Sequence, residues 1–297
     1  MIDILGGSRF VSSVAIEKGW SGDKKYCVTN TVGEKYLLRI TPIERYDNRE
    51  ALFALLLQVA KLAIPMCLPV EFGICGAGVY LLQTWIDGED LEAVLPLLTE
   101  AEQYALGVTS GELLRKMHVI PAPDSQEDWA VRFNRKTEGK MQKYRECGVR
   151  FDGDEYVIKY IEQNRELLLH RPQCFQHGDY HVGNMMLAGG KLNIIDFDRY
   201  DFGDPWEEFN RIMWTAAVSP HFATGQLHGY FGGEPPIAFF KLLAFYISSN
   251  MLSSIYCAIP FGQPDVDIMM RQAQDLLCWF DNMQNPVPAW YRAGGSI

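Results

Sequence analysis

The residues best suited to chemistry lie in the segment HGDYHVGN, at positions 177–184. It places a carboxylate, Asp179, five residues before an amide, Asn184, and a second carboxylate, Asp196, follows an apolar run. Two short strand-like runs around the glycine pair at 189–190 predict a hairpin. We expect that hairpin to fold Asp196 back towards Asn184 and Asp179, so that three oxygen-bearing side chains converge.

Three such side chains suit phosphoryl transfer. Magnesium is a hard cation that prefers carboxylate, amide and phosphate oxygens, so we expect Asn184 and Asp196 to hold Mg²⁺ against nucleotide phosphates. Asp179 is the expected catalytic residue, which orients an acceptor hydroxyl and takes its proton late in the transfer. The loose transition state of this reaction needs positioning and charge neutralisation more than a strong base.

The first third of the chain has the pattern of a small antiparallel sheet with one helix. Strand-like runs at 26–30 and 36–40 flank a turn, and apolar residues recur at helical spacing over 52–62. Two further strands are predicted at 70–75 and 79–85.

The rest of the chain is mainly helical. Thr99 and Glu102 form a capping-box pattern ahead of a helix, and apolar residues over 157–168 indicate a second one. We therefore predict an α+β protein with two parts. The N-terminal nucleotide-binding lobe would span 1–85, and the C-terminal catalytic and substrate-binding lobe would span 86–297.

These motifs resemble those of the aminoglycoside phosphotransferase and choline kinase superfamily. The resemblance rests on His-Gly-Asp-x4-Asn at 177–184 and Ile-Asp-Phe-Asp at 195–198. LLRKMH at 113–118 and GDPWEEF at 203–209 are similar to further family segments, and the similarity extends from about residue 17 to 281. It implies a bilobal protein-kinase-like fold, with a small antiparallel sheet and one helix in the N-lobe and a larger helical C-lobe. It also implies Mg²⁺, ATP or GTP as phosphoryl donor, and an alcohol group on a small molecule as acceptor.

The resemblance also assigns the nucleotide contacts. Arg39 stands in the strand position where the family usually carries lysine, and Glu50, at the start of the following helix, is its expected partner. Arginine keeps the charge but is bulkier and binds as a fork. Ser21 and Gly22 fall in the segment that corresponds to the loop over the phosphates. The expected hinge contacts to the base are Gln83 and Trp85.

The segment 196–208 carries six acidic residues against a single basic one, Arg199. In the family this segment borders the acceptor pocket, and an acidic rim would attract a cationic acceptor such as an aminoglycoside or a related amino sugar. A solvated surface explains the acids nearly as well, and Asp198 would equally suit a second metal or a turn cap. The residues expected to contact the substrate are Asp198, Asp201 and His181.

The composition is that of a globular protein with a core, at 48% hydrophobic and 22% charged residues. A formal net charge of -10 disfavours nucleic acid and anionic membranes as partners. Seven widely spaced cysteines without a C-x-x-C motif predict neither a disulfide framework nor a zinc site. The first residues lack a signal-peptide pattern, so we expect a cytoplasmic protein. The apolar stretch 237–259 is interrupted by Lys241 and Asn250, which favours a buried helix over a membrane span.

Four alternatives remain at this stage. Another kinase of the superfamily would act on choline, a sugar, homoserine or a macrolide, and either antibiotic resistance or metabolism would fit. Arg39 keeps a non-catalytic nucleotide-binding pseudokinase open, although the polar triad of Asp179, Asn184 and Asp196 argues against it. A protein kinase is disfavoured because no glycine follows Phe197 and no Ala-Pro-Glu element occurs. A metallophosphatase would need more metal carboxylates and histidines.

Overall fold

The computed structural model describes residues 9–17 and 22–295. The chain divides into two compact units. The first comprises the described residues up to Leu91 together with Asn184–Asp198, and the second comprises Glu92–Gly183 and the described residues from Arg199 onward. The sequence-based division after residue 85 differs from this one, because it assigned 184–198 to the second part.

A five-stranded antiparallel sheet forms most of the first unit. Its strands are β1 (Phe10–Ala15), β2 (Lys24–Asn30), β3 (Lys35–Thr41), β4 (Pro69–Cys75) and β5 (Gly78–Thr84), in the order β1-β2-β3-β5-β4. The four predicted strands are confirmed, whereas β1 was not predicted. Alternate residues of β2, β3 and β5 point to one face, where Val28, Leu38 and Leu82 form a buried cluster.

A single helix and a second, smaller sheet complete the first unit. The helix α1 (Tyr46–Lys61) packs against β4 and β5 and buries the predicted apolar face. The small sheet pairs β6 (Glu89–Asp90), β8 (Met185–Ala188) and β9 (Lys191–Ile194) in the order β6-β8-β9. The amide nitrogen of Ile194 donates to the carbonyl oxygen of Pro65 at 2.8 Å, which ties the β8–β9 hairpin to the chain that follows α1.

The second unit is mainly helical. Its helices are α3 (Glu100–Met117), α4 (Trp129–Glu146), α5 (Asp154–Gln163), α6 (Ile212–Val218), α7 (Pro220–Phe231), α8 (Ile237–Ala258) and α9 (Gln263–Trp279), and the short α2 (Leu91–Val94) precedes them. A two-stranded sheet pairs β7 (Cys174–Gln176) with β10 (Asp201–Gly203). The predicted capping box is confirmed, because Thr99 caps α3 and exchanges hydrogen bonds with Glu102.

The helix α8 lies in the core of the second unit. Among the described residues it supplies the one segment, Ile237–Phe261, that is long and apolar enough to cross a membrane, and 67% of the apolar window is buried inside the protein. Its side chains pack against α4, α5 and α9. The apolar stretch therefore behaves as the buried helix that its sequence predicts.

Candidate active site

The β8–β9 hairpin brings Asn184 and Asp196 together at one end of the first unit. Met185 pairs with Ile194 in the ladder, and the amide nitrogen of Ile195 donates to the carbonyl oxygen of Asn184 at 3.0 Å. Asp196, the next residue, has a φ of +65°, a left-handed backbone that few non-glycine residues adopt. The hairpin therefore places the two residues side by side, while their role as metal ligands stays a prediction.

Two buried arginines lie beside Asp196. Arg39, in β3, places Nη1 3.2 Å from Asp196 Oδ1 and Nη2 3.4 Å from Asp23 Oδ2. Arg39 also donates to Asp198. Arg49, in α1, donates to Asp23 Oδ2 and to Asp198 Oδ1, each at 2.7 Å. We call these five residues the arginine–aspartate network.

The arginine–aspartate network holds charge away from water. The side chains of Arg39 and Arg49 are 7% and 3% exposed, and that of Asp23 is fully buried. Burial lowers the pKa of Arg49, while the neighbouring Asp23 opposes the shift. Each buried charge costs several kcal/mol unless it is paired, so removal of one member leaves the others without compensation.

A further cation stands on the neighbouring strand. Lys25, in β2, lies opposite Arg39 in the ladder with β3. Burial lowers the pKa of Lys25, repulsion from Arg39 adds to this, and Asp196 opposes it. Lys25, Arg39 and Arg49 thus bring three cationic side chains, the kind that binds nucleotide phosphates, close to Asp196, where Asp23, Asp196 and Asp198 balance their charge.

The predicted ion pair between Arg39 and Glu50 is wrong. Glu50 is exposed and accepts a hydrogen bond from the Tyr46 hydroxyl at 3.1 Å. The cause is helical geometry: Arg49 lies three residues before Leu52 and shares its buried face, whereas Glu50 points elsewhere. The acidic partners of Arg39 come instead from Asp23, Asp196 and Asp198.

A cavity of about 30 Å³ lies against the arginine–aspartate network. Its apolar wall includes Leu37 and Ile194, and the predicted hinge residue Gln83 also lines it. The Gln83 side chain donates to the carbonyl oxygen of Cys67 at 3.0 Å. Trp85 is half-buried, and its indole nitrogen has no hydrogen-bond partner among the described residues. Of the two residues predicted to contact phosphates, Gly22 is exposed beside Asp23 and Ser21 lies outside the described residues.

The loop that carries Asp179 is anchored by a buried carboxylate in the second unit. Glu208 accepts hydrogen bonds from the amide nitrogens of His177 at 2.6 Å and Gly178 at 2.9 Å. Gly178 has a φ of +82°, and a Cβ there would lie 1.9 Å from the carbonyl oxygen of Arg199. His177 is buried, as expected for a structural histidine, and its Nδ1 accepts from the Asp179 amide at 3.3 Å. The backbone on both sides of Asp179 is therefore fixed.

Asp179 itself lies between two arginines of the second unit. Arg211 Nε is 2.7 Å from Asp179 Oδ1, and Arg199 Nε is 3.8 Å from Asp179 Oδ2. The Arg211 guanidinium also lies 4.7 Å from the centre of the Trp214 ring. Arg211 is therefore the nearer of the two arginines to the Asp179 carboxylate.

His181, predicted to contact substrate, also faces Asp179. Its Nε2 lies 3.6 Å from Asp179 Oδ1, and its Nδ1 accepts from the Gly183 amide at 3.2 Å. Burial lowers the pKa of His181 to about 4, although the charge of Asp179 opposes the shift. The imidazole is therefore neutral at pH 7, with its proton on Nε2 and directed at Asp179.

The acidic residues of 196–208 do not form an open rim. Asp204 is buried and receives two hydrogen bonds from Arg171, at 2.6 and 2.9 Å. Asp201 accepts from Arg132, so this predicted substrate contact is already paired. Glu207 accepts from Gln176 at 3.1 Å, and burial raises its pKa. The other three are paired as described above: Asp196 and Asp198 with arginines, and Glu208 with backbone amides.

The predicted site residues thus fall into two groups. Asn184, Asp196 and Asp198 belong to the first unit, whereas Asp179, His181 and Asp201 belong to the second. Asp198 serves the arginine–aspartate network, which is a role that sequence analysis did not assign to it. The predicted convergence of the three chemical groups stays a prediction.

The donor set in the first unit fits magnesium. Protein sites for Mg²⁺ use one or two carboxylates and leave the remaining positions to water and phosphate oxygens. Asp196 and the amide of Asn184 supply such oxygens at one hairpin end. No group of three or more histidines, cysteines, aspartates or glutamates in 9–17 and 22–295 is arranged to hold a metal without further ligands.

Three further residues escaped sequence analysis. Arg49 had a usable signal, because its spacing from Leu52 puts it on the buried face of α1. Glu208 and Arg211 gave no such signal, since their partners His177 and Asp179 lie about thirty residues away and are brought near by tertiary folding.

Comparison with known families identifies the class of protein. A profile described as the phosphotransferase enzyme family matches residues 13–240, which is most of the chain. The chain therefore belongs to the phosphotransferase enzyme family. A comparison with curated protein sequences finds no match.

Solved structures show the same fold. Aminoglycoside phosphotransferase APH(4)-Ia, as a thermostable mutant with ADP and hygromycin B, is 15% identical with a TM-score of 0.66, covering 90% of this chain and 94% of that one. APH(2'')-Ib with ADP is 15% identical with a TM-score of 0.62, covering 90% and 95%. A choline/ethanolamine kinase family protein from Mesorhizobium loti is 16% identical with a TM-score of 0.66, covering 93% and 92%. The predicted kinase-like fold is confirmed.

Proposed function

We propose that this chain is a nucleotide-dependent phosphotransferase that moves the terminal phosphoryl group of ATP or GTP onto a hydroxyl of a small molecule. The observation that carries the proposal is the fixed carboxylate of Asp179, on a loop anchored by Glu208 and oriented by Arg211. Membership of the phosphotransferase enzyme family supports it. The ADP in the related complexes supports a nucleotide donor.

Each unit contributes its own residues to the reaction. In the first unit, Lys25, Arg39 and Arg49 carry the positive charge that binds nucleotide phosphates, and Asn184 and Asp196 are the proposed ligands of Mg²⁺. Bound Mg²⁺ would neutralise charge on the phosphate oxygens. In the second unit, the Asp179 carboxylate meets the acceptor hydroxyl, and Arg211 Nε lies 2.7 Å from its Oδ1.

In the proposed transfer, the acceptor oxygen forms a bond to the γ-phosphorus, and the bond from that phosphorus to the bridging oxygen breaks. The nucleoside diphosphate leaves with the electron pair. The hydroxyl proton passes to the Asp179 carboxylate, late in the transfer because the transition state is loose.

The acceptor is a small hydroxylated molecule in this proposal. An amino sugar is the acceptor that the sequence favours, and hygromycin B and gentamicin occur in the complexes of related proteins. The acidic segment 196–208 does not support a cationic acceptor, because its carboxylates are already paired within the protein. Amino sugars are therefore one arm of the acceptor test, and antibiotic resistance is a role that follows only if that arm succeeds.

We place the protein in the cytoplasm. The seven cysteines all lie within the described residues and are free thiols. Free thiols persist in a reducing compartment. This supports the location that the sequence predicts.

The test is nucleotide consumption by the purified protein with ATP and GTP in parallel and with Mg²⁺ present. The acceptors are aminoglycosides, macrolides, choline, homoserine and simple sugars. Asp179→Asn should lower the transfer rate at least about 100-fold, the scale of lost general-base catalysis. The substitution keeps the side-chain shape, so circular dichroism and the melting temperature should stay close to those of the native protein.

The matched control is Asp152→Asn, the same chemical change at an exposed position of the second unit. It should transfer at the native rate. Near-native turnover by Asp179→Asn would show that the base is misassigned. Nucleotide binding without transfer to any acceptor would instead favour a pseudokinase.

A further inference from the structure

The surroundings of Asp179 are basic. Arg211 and Arg199 both approach its carboxylate, at 2.7 and 3.8 Å, so two cations face one anion. His181 does not change that balance, because its imidazole is neutral at pH 7. The Arg199 side chain is 57% exposed and is available to a second anion.

One face of α4 carries three cationic side chains. Arg132, Lys136 and Lys140 are spaced four residues apart, which places them one above the other on the helix. Arg132 is neutralised by Asp201. Neither Lys136 nor Lys140 has a hydrogen bond or an ion pair with any residue of 9–17 and 22–295, although the Lys136 ammonium lies 5.5 Å from the Phe133 ring centre. Two ammonium groups are therefore left for a ligand.

Lys140 belongs to the same electrostatic environment as Arg211. Burial, together with the charges of Lys136 and Arg211, lowers the pKa of Lys140 to about 8, while Glu207 opposes the shift. A depressed lysine pKa is the response of an ammonium group to a positive local field and to lost water. An anion placed there would offset the positive field.

The nearby carboxylates do not cancel this charge. Glu208 is occupied by the two backbone amides that it anchors. Glu207 is buried and accepts from Gln176, and burial raises its pKa although Lys136 and Lys140 oppose the shift. Asp179 is the carboxylate within ion-pair distance of both Arg199 and Arg211 among the described residues. A polycationic acceptor would meet like charge at this place.

We propose that the acceptor carries an anionic group, a carboxylate or a phosphate monoester, close to the hydroxyl that is phosphorylated. Arg199, whose side chain is 57% exposed and lies 3.8 Å from Asp179 Oδ2, binds that group beside Asp179. This inference rests on the proposed phosphotransferase function and specifies its substrate class. Arg199 is the specificity-determining residue, because it is the more exposed and more loosely held of the two arginines.

The experiment uses the full chain and four probes with one sugar skeleton. They are glucosamine, glucose, glucuronate and glucose 1-phosphate, which differ in charge, and the last two distinguish a carboxylate from a phosphate. Binding is measured by titration calorimetry with ADP and Mg²⁺ present. We expect at least one anionic probe to bind at least tenfold more tightly than glucosamine.

Two variants test whether Arg199 is responsible for the tighter binding of the anionic probe. Arg199→Gln should weaken binding of that probe at least tenfold and leave the dissociation constant of ADP unchanged. Lys159→Gln, at an exposed position of α5, removes one positive charge from the same unit. It should change neither the dissociation constant of the anionic probe nor that of ADP.

The inference is overturned if glucosamine or an aminoglycoside binds as tightly as the anionic probes, or if no probe binds. It is also overturned if Arg199→Gln weakens the binding of ADP and not that of the anionic probe, since Arg199 would then bind the nucleotide. A phosphotransferase that accepts aminoglycosides would refute only this inference, whereas a chain that transfers to no acceptor would refute the proposed function.

Discussion

The buried charges of the first unit depend on Arg49. It bridges Asp23 and Asp198 at 2.7 Å each, and no other residue of the described chain binds both so closely. Its loss would leave Asp23 with Arg39 at 3.4 Å and Arg45 at 3.6 Å. Arg49→Met should therefore lower the free energy of unfolding by about 3–5 kcal/mol, the cost of breaking a buried pair. Urea unfolding followed by circular dichroism measures this.

The control for Arg49→Met is Arg45→Met, four residues earlier. Arg45 has a 47% exposed side chain and a single contact to Asp23. The 3.6 Å between Arg45 and Asp23 is longer than a hydrogen bond and Arg45 is half-exposed, so this variant should lose less stability than Arg49→Met. Equal effects of the two substitutions would mean that the network does not hold the unit together.

Sequence patterns predict the candidate chemical residues of the site more readily than the residues that surround them. Asp179, Asn184 and Asp196 follow from a local motif, because their spacing along the chain is short and regular. The family resemblance predicts Glu50 as the partner of Arg39, but Glu50 is exposed and lies off the buried face of α1. Arg211 and Glu208 depend on contacts across about thirty residues, which no local pattern records.

At the level of elements, the crossing of α3 and α7 is the closest packing in the second unit. Gly107 and Gly111 of α3 and Gly225 and Gly229 of α7 all face the other helix. A Cβ at Gly111 would lie 2.0 Å from the carbonyl oxygen of Gln226. Gly111→Ala should destabilise the protein by about 2 kcal/mol or more, because backbone atoms cannot yield as a flexible side chain can.

The matched control for Gly111→Ala is Gly139→Ala in α4. No atom lies within 4 Å of a Cβ built at Gly139, so the substitution should raise the unfolding free energy by up to about 1 kcal/mol through helix propensity. Thermal and urea unfolding compare the two. A stable Gly111→Ala variant would mean that the helices cross at a larger distance.

Elements were predictable where apolar periodicity is unbroken. The helices α1 and α3 follow from it, with Thr99 marking the start of α3. The helix α4 was not predicted, because a buried Thr137 occupies the position between Phe133 and Met141 that an apolar residue would normally mark. Its Oγ1 instead meets the Ser249 hydroxyl at 3.1 Å, a pairing that only the tertiary fold reveals.

At the scale of the whole molecule, the first unit is discontinuous in sequence. The hairpin of β8 and β9 belongs with the described residues up to Leu91, although more than ninety residues intervene. It supplies the partner strand of β6, the bond from Ile194 to Pro65, and Asp196 and Asp198 for the arginines. A split after residue 85 or 91 therefore separates the sheet-rich part from residues that neutralise its buried charge.

A fragment of residues 1–91 should consequently fail to fold. Arg39 and Arg49 would keep only Asp23 as a partner, and the uncompensated charge costs several kcal/mol. The matched fragment joins 1–91 to 184–198 through about six glycine and serine residues, which suffice because Asp90 and Met186 are paired neighbours. Amide NMR spectra should be dispersed for the joined fragment and collapsed for 1–91 alone. Dispersed spectra from both would show that the hairpin is dispensable, and that the arginines of the first unit tolerate burial without Asp196 and Asp198.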